Sequence, residues 1–174
     1  EIQSVSDSNA KIEEFHNKYG FIGSWNVELV TDMSNLFENM TTFNEYISNW
    51  NVSNVTSMEY MFYGASSFNQ DIGNWNVVNV TSMKSMFYNA KTFNQSINNW
   101  DTSKIVNMEY MFSGAELFNQ SINTHTNASN KTYWNVANVT NMHGMFSNAL
   151  SFNHSLNNWN VSNVTNMSNL FNSA

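Results

Sequence analysis

Tryptophan recurs in this chain at a fixed step. Trp25, Trp50, Trp75 and Trp100 are 25 residues apart, Trp134 follows after 34, and Trp159 after 25 again. One period therefore carries a nine-residue insertion. Phenylalanine keeps the same step twice, as Phe37, Phe62, Phe87, Phe112, Phe146 and Phe171, and as Phe43, Phe68, Phe93, Phe118 and Phe152. Each member of the second set is followed by asparagine: Asn44, Asn69, Asn94, Asn119 and Asn153. Methionine recurs at Met33, Met58, Met83, Met108, Met142 and Met167. Self-similarity at this period means a stack of like units, each too small to bury its own apolar face. Burying a large apolar side chain is worth about 1.5–3 kcal/mol, whereas ordering each residue costs about 1.5 kcal/mol. A lone repeat comes out behind, so its neighbours must cover it.

The consensus reads F-N-Q-x-I-x-N-W-N-V-x-N-V-T-x-M-x-x-M-F-x-x-A. This resembles the BspA-like leucine-rich repeat family, also known as the DUF285 repeat, and the resemblance runs over about residues 25 to 174. Three positions depart from it: Thr102 stands in a valine slot, Val106 in a threonine slot and Met40 in an alanine slot. The family occurs in surface proteins of mycoplasmas, other bacteria and some protists. The resemblance implies an α/β solenoid, a right-handed leucine-rich-repeat-like array of 25-residue turns with a short parallel strand and a short helix in each.

The residues of one repeat can be assigned to such elements. Thr56 to Glu59 form a capping-box pattern. Met58, Met61, Phe62 and Ala65 fall at i, i+3, i+4 and i+7, the spacing of one helix face. These place a helix over Ser57 to Tyr63, with Gly64 as its stop. Phe43 to Ile47 is short and polar-flanked, and the same segment recurs as FNQSI; it is assigned to the parallel strand. The asparagines after the second phenylalanine are expected to stack as a ladder that satisfies backbone groups at each turn.

Three segments lie outside the consensus. Residues 1–24 are expected to hold a disordered tail and a capping helix over Asn9 to Tyr19. Residues 25–174 form the repeat array, and Asn123 to Thr132, rich in Asn, Thr and Ser, is a protruding insertion loop. The array ends at Ala174 without a cap, so the chain is expected to be a piece of a longer array or to be covered there by a partner.

The chemistry of the chain points away from catalysis. It has no cysteine, which excludes a disulfide scaffold and cysteine-based zinc sites. His16, His125, His143 and His154 occupy unlike slots and never pair at ligand spacing. Carboxylates scatter likewise, and no P-loop, GxSxG or HExxH pattern occurs. No catalytic residue, metal or cofactor is expected. A net charge of -7 and a pI near 4.8 argue against nucleic acid as a partner. No apolar run is long enough to span a membrane.

Recognition is the better reading. Tyr60, Tyr63, Tyr88 and Tyr110 fall on the helical face turned from the core, and exposed tyrosine favours protein or glycan recognition. Gln70, Gln95 and Gln120 form a polar column beside the strand, a second candidate for binding. The expected function is that of a non-catalytic extracellular or cell-surface module for adhesion or host binding. The alternative is a spacer or fibre subunit that self-associates through its uncapped last repeat.

Overall fold

The structure, a computed structural model, describes residues 16–174. The expected helix-and-strand solenoid is wrong. Among the described residues, regular structure amounts to a helical stretch at 16–19, a 3-10 turn at Ile22–Ser24, and two strands of two residues each. The strands are β1, His125–Thr126, and β2, Thr132–Tyr133. The rest of the described residues is built largely from β-turns, closed one after another. The capping helix expected over Asn9 to Tyr19 lies outside the described residues except at 16–19.

Successive 25-residue units nevertheless lie against one another in register. The Thr81 N–H donates to the Thr56 carbonyl at 2.8 Å, and Thr56 donates to Thr31 in the same way at 2.8 Å. Beside this column, single-residue parallel bridges join Asp32, Ser57, Ser82, Asn107, Asn141 and Asn166 in sequence.

The helix expected over Ser57–Tyr63 fails for a definite reason. The N–H groups of Met58, Tyr60, Phe62 and Gly64 donate to Ser82, Lys84, Met86 and Tyr88 of the next unit, at 2.7–3.1 Å. The N–H groups of Met61, Tyr63 and Ala65 close four-residue turns onto Met58, Tyr60 and Phe62, at 3.0–3.3 Å. Half of the donors that an α-helix would use internally are thus spent on the neighbouring unit. Every second turn also requires a left-handed residue at its third position, as a type II turn does. Tyr60 has φ 57° and Gly64 φ 67°, and the equivalent pair two units on, Tyr110 and Gly114, has 54° and 68°. The second of these slots is filled by Asn39, Gly64, Asn89, Gly114, Asn148 and Ser173. Asn and Gly tolerate this conformation best. The i, i+3, i+4, i+7 spacing is real, but it marks turn corners: Met58 and Met61 close one turn, Phe62 and Ala65 another, and Ala65 and Phe68 a third.

The strand expected at Phe43–Ile47 also fails, because side chains take the place of peptide partners there. The Asn69 N–H donates to Asn44 Oδ1 at 2.9 Å, and the Gln70 amide donates to the Asn44 carbonyl at 2.8 Å. The asparagine step repeats from Asn94 to Asn69, Asn119 to Asn94 and Asn153 to Asn119, at 2.9–3.0 Å.

Inside, like residues lie over like. Trp50 and Trp75 stack at 6.4 Å with planes 4° apart, and Trp134 and Trp159 at 6.5 Å and 5°. Each indole N–H reaches back to the preceding unit: Trp75 donates to Ile47, Trp100 to Ile72 and Trp134 to Ile97. The two phenylalanine columns run side by side, with Phe62 on Phe68 at 3.8 Å within a unit and on Phe87 at 5.6 Å across units. Trp100, Trp134 and the phenylalanines from Phe62 to Phe146 are fully buried, whereas Phe171 in the last unit is 50% exposed. No buried side-chain polar atom among the described residues lacks a partner. Thr102, fully buried in its valine slot, donates to the Asn135 carbonyl at 2.9 Å.

The insertion is a hairpin. β1 and β2 pair antiparallel with His125 opposite Tyr133, and Asn127 Oδ1 accepts from the Ser129 and Lys131 N–H groups to close the tip. The Trp134 N–H then donates to the Trp100 carbonyl at 2.9 Å, so the chain re-enters the stack in register.

Asn89, with φ 53°, separates the observed turn from the expected helix. Asn89→Gly should leave the urea-unfolding free energy within about 0.5 kcal/mol, and Asn89→Val should lower it by about 1–3 kcal/mol. A helix would give the opposite order, because glycine costs about 1 kcal/mol there.

Candidate interaction surface

The left-handed turns throw four tyrosines onto one surface. Tyr60 and Tyr110 share one slot of the repeat, two units apart, and Tyr63 and Tyr88 share another in adjacent units. Tyr60 meets Tyr63 at 5.9 Å, Tyr63 stacks on Tyr88 at 4.6 Å with planes 5° apart, and Tyr88 meets Tyr110 edge-on at 6.1 Å. Tyr110 then meets His143 at 4.7 Å and bonds its Nε2 at 2.6 Å. A continuous aromatic strip, half-buried along its length, thus crosses four units.

Two of these tyrosines stand in a costly conformation. The slot of Tyr60 and Tyr110 holds Asn35, Ser85, Gly144 and Asn169 elsewhere. For a bulky residue a positive φ costs about 1–2 kcal/mol. Gly144 gives the Tyr110 ring its room: a Cβ there would lie 2.3 Å from the ring edge.

Charged groups border the rings. Lys84 Nζ lies 3.1 Å from Glu109 and 6.0 Å from the centre of the Tyr60 ring. The hydrogen bond that Lys84 donates to Glu109 raises the Lys84 pKa above the usual lysine value, against the opposing effect of burial. Ser82 donates to Glu59 at 2.6 Å, and Asn141 donates at 3.1 Å to Glu109 Oε2, the same oxygen that faces Lys84. Burial and the neighbouring Tyr88, Glu38 and Tyr60 push the Tyr63 hydroxyl above its ordinary value.

The glutamines expected as a second binding column have other work. Gln95 and Gln120 donate to the backbone carbonyl and the side-chain oxygen of Asn69 and Asn94, at 2.9–3.1 Å. With Gln70 they tie unit to unit and do not join the tyrosines. His143 belongs to the strip, and sequence reasoning set it aside as one of four unrelated histidines. The signal was its register: after subtracting the insertion it falls in the column of Glu59, Lys84 and Glu109, next to the tyrosine slot.

His143 Nδ1 lies 2.5 Å from Ser168 Oγ, and Ser168 donates to Asn166 Oδ1 at 2.7 Å. With Tyr110 donating to Nε2, every proton in this chain runs toward Asn166. Ser168 is then a donor already engaged, with His143 placed as its donor and not its base. Among the described residues no three His, Asp or Glu side chains come together as a metal site, and no helix is long and apolar enough to cross a membrane.

The comparison with protein families decides the kinship. The family model described as "Mycoplasma protein of unknown function, DUF285" matches residues 3–126 and 124–174. The chain belongs to the DUF285 family. No curated protein and no solved structure matches it.

Because the Tyr63 pKa is raised in the folded chain, its contribution to stability is complete below the ordinary tyrosine pKa. It is lost as pH rises through the folded value. Urea unfolding should show constant stability from about pH 7 to 9 and a decline above about pH 10 that Tyr63→Phe makes shallower. Carbon-labelled tyrosine NMR should place Tyr63 as a late-titrating ring.

Proposed function

We propose that this DUF285 chain is a non-catalytic interaction module of the cell surface or extracellular space, which binds a partner through its tyrosine strip. The observation that carries the reading is the strain kept at Tyr60 and Tyr110. Two large rings occupy a left-handed slot that Asn, Gly or Ser fills elsewhere. Backbone strain of this kind persists where surrounding structure and use hold it. Tyrosine is also a residue that carries binding energy at interfaces, because its ring supplies contact area and its hydroxyl a directed hydrogen bond. The location and the role in adhesion or host binding rest on the motif's resemblance to BspA-like surface proteins.

The alternative reading, end-to-end assembly as a spacer or fibre subunit, is an outcome of the same test.

An array of host surface proteins and glycans tests the first reading. The chain should be retained by a specific component, and Tyr88→Ala should weaken that binding about tenfold or more. Tyr60→Asn should weaken it too while leaving stability unchanged or raised by up to about 1 kcal/mol, because the strain is relieved. Gln95→Ala should do the reverse, lowering stability by about 1–3 kcal/mol without touching binding. Absence of any retained component, together with concentration-dependent filaments lost in Phe171→Glu, would favour the second reading.

A further inference from the structure

The strip has a chemical bias that narrows its partner, if the proposed binding role holds. Glu38 acts on Tyr63, Glu59 adjoins Tyr60 in the chain, and Glu109 adjoins Tyr110, while the Lys84 ammonium near Tyr60 is already tied to Glu109 at 3.1 Å. After burial and Tyr88, Glu38 is among the groups that oppose loss of the Tyr63 proton. The whole chain carries -7.

The rings themselves discriminate further. Tyr63 and Tyr88 lie face to face at 4.6 Å, and Tyr110 is packed edge-to-face between Tyr88 and His143. Such packing hides ring faces and presents edges and hydroxyl oxygens. A sugar docks on an open aromatic face and needs donors and acceptors in equal measure. The strip instead sets carboxylate oxygens, which only accept, beside phenol hydroxyls, which accept as well as donate. The matching group is planar, cationic and made of donors alone, with a stem that can lie along apolar ring edges. That is the arginine guanidinium, with five N–H donors and no acceptor. Lysine shares the charge but not the fork, and pairs a carboxylate and a phenol less well.

We infer that the tyrosine strip recognises a basic protein segment and engages it through arginine side chains laid along Tyr60, Tyr63, Tyr88 and Tyr110. Charge complementarity would steer the encounter, and packing of the arginine stems along the ring edges would hold the contact once made.

Tyrosine-labelled NMR titration of the full chain tests this at physiological ionic strength. The probes are three peptides of about twelve residues alternating glycine with arginine, lysine or glutamate, and a neutral mannose oligosaccharide. The arginine peptide should shift the ring signals of the four strip tyrosines and leave Tyr133 and Tyr46 unmoved. It should bind at least about fivefold more tightly than the lysine peptide, and the glutamate peptide should not bind. Glu38→Gln with Glu59→Gln should weaken the arginine peptide about threefold or more, with an unchanged unfolding midpoint. Equal binding of arginine and lysine peptides, with shifts spread over the surface, would reduce the effect to net charge and overturn the inference. So would strip shifts caused by the oligosaccharide and not by the arginine peptide, though the strip would then remain a binding surface. If no probe moves the strip while an array component is still lost in Tyr88→Ala, only the arginine assignment falls. If neither occurs, the binding role falls with it.

Discussion

Backbone groups in this chain find their partners 24 to 26 residues away. From Met58 to Gly64, every second N–H donates to the next unit, while those between close turns within their own unit. This division fixes the rest. A peptide that alternates its donors between a neighbour and itself cannot be a helix, which keeps all its donors, nor a strand, which gives alternate donors to each side without turning. It becomes a run of turns whose corners point inward. The apolar residue at each corner then lies over its counterpart in the adjoining unit, and the tryptophan and phenylalanine columns follow.

The asparagine content, about a fifth of the chain, is a consequence of the same constraint. A run of turns leaves carbonyl and N–H groups that no helix or sheet ladder pairs. Asn44 and its equivalents accept from the backbone of the next unit. Asn54, Asn79, Asn138 and Asn163 donate to the preceding one. Asn51 and Asn76 bind the N–H two residues on. Asn39, Asn89 and Asn148 supply the left-handed corner. A short side chain that both donates and accepts, and that tolerates positive φ, suits all four tasks. The surface strip uses the same scaffold differently: where Tyr60 and Tyr110 replace the tolerant residue, the corner becomes strained and a ring is carried outward.

Much of this was legible in the residues. The period, the shared face of Met58, Met61, Phe62 and Ala65, the insertion between Trp100 and Trp134, and the asparagine ladder are all marked by spacing. The four tyrosines were also legible as a surface group. The element types were not. A spacing of i, i+3, i+4 and i+7 arises from a helix face and equally from successive four-residue turns, since both bring every third or fourth residue to one side. The sign of φ at Tyr60 and Ser85 separates the two, and neither residue advertises it. The partners of the glutamine column were not legible, because its amides meet the backbone of another unit, a contact that no local window contains.

Sequence alone determined that this chain repeats, which side chains face inward, and that like residues meet like, because those follow from a fixed period and from the need of each unit for covered apolar faces. Only the tertiary structure decided that the units are made of turns, that Gln70, Gln95 and Gln120 serve the stack, and that His143 completes the tyrosine strip. Each of those depends on where a donor finds its acceptor. In this protein that partner stands a full repeat away.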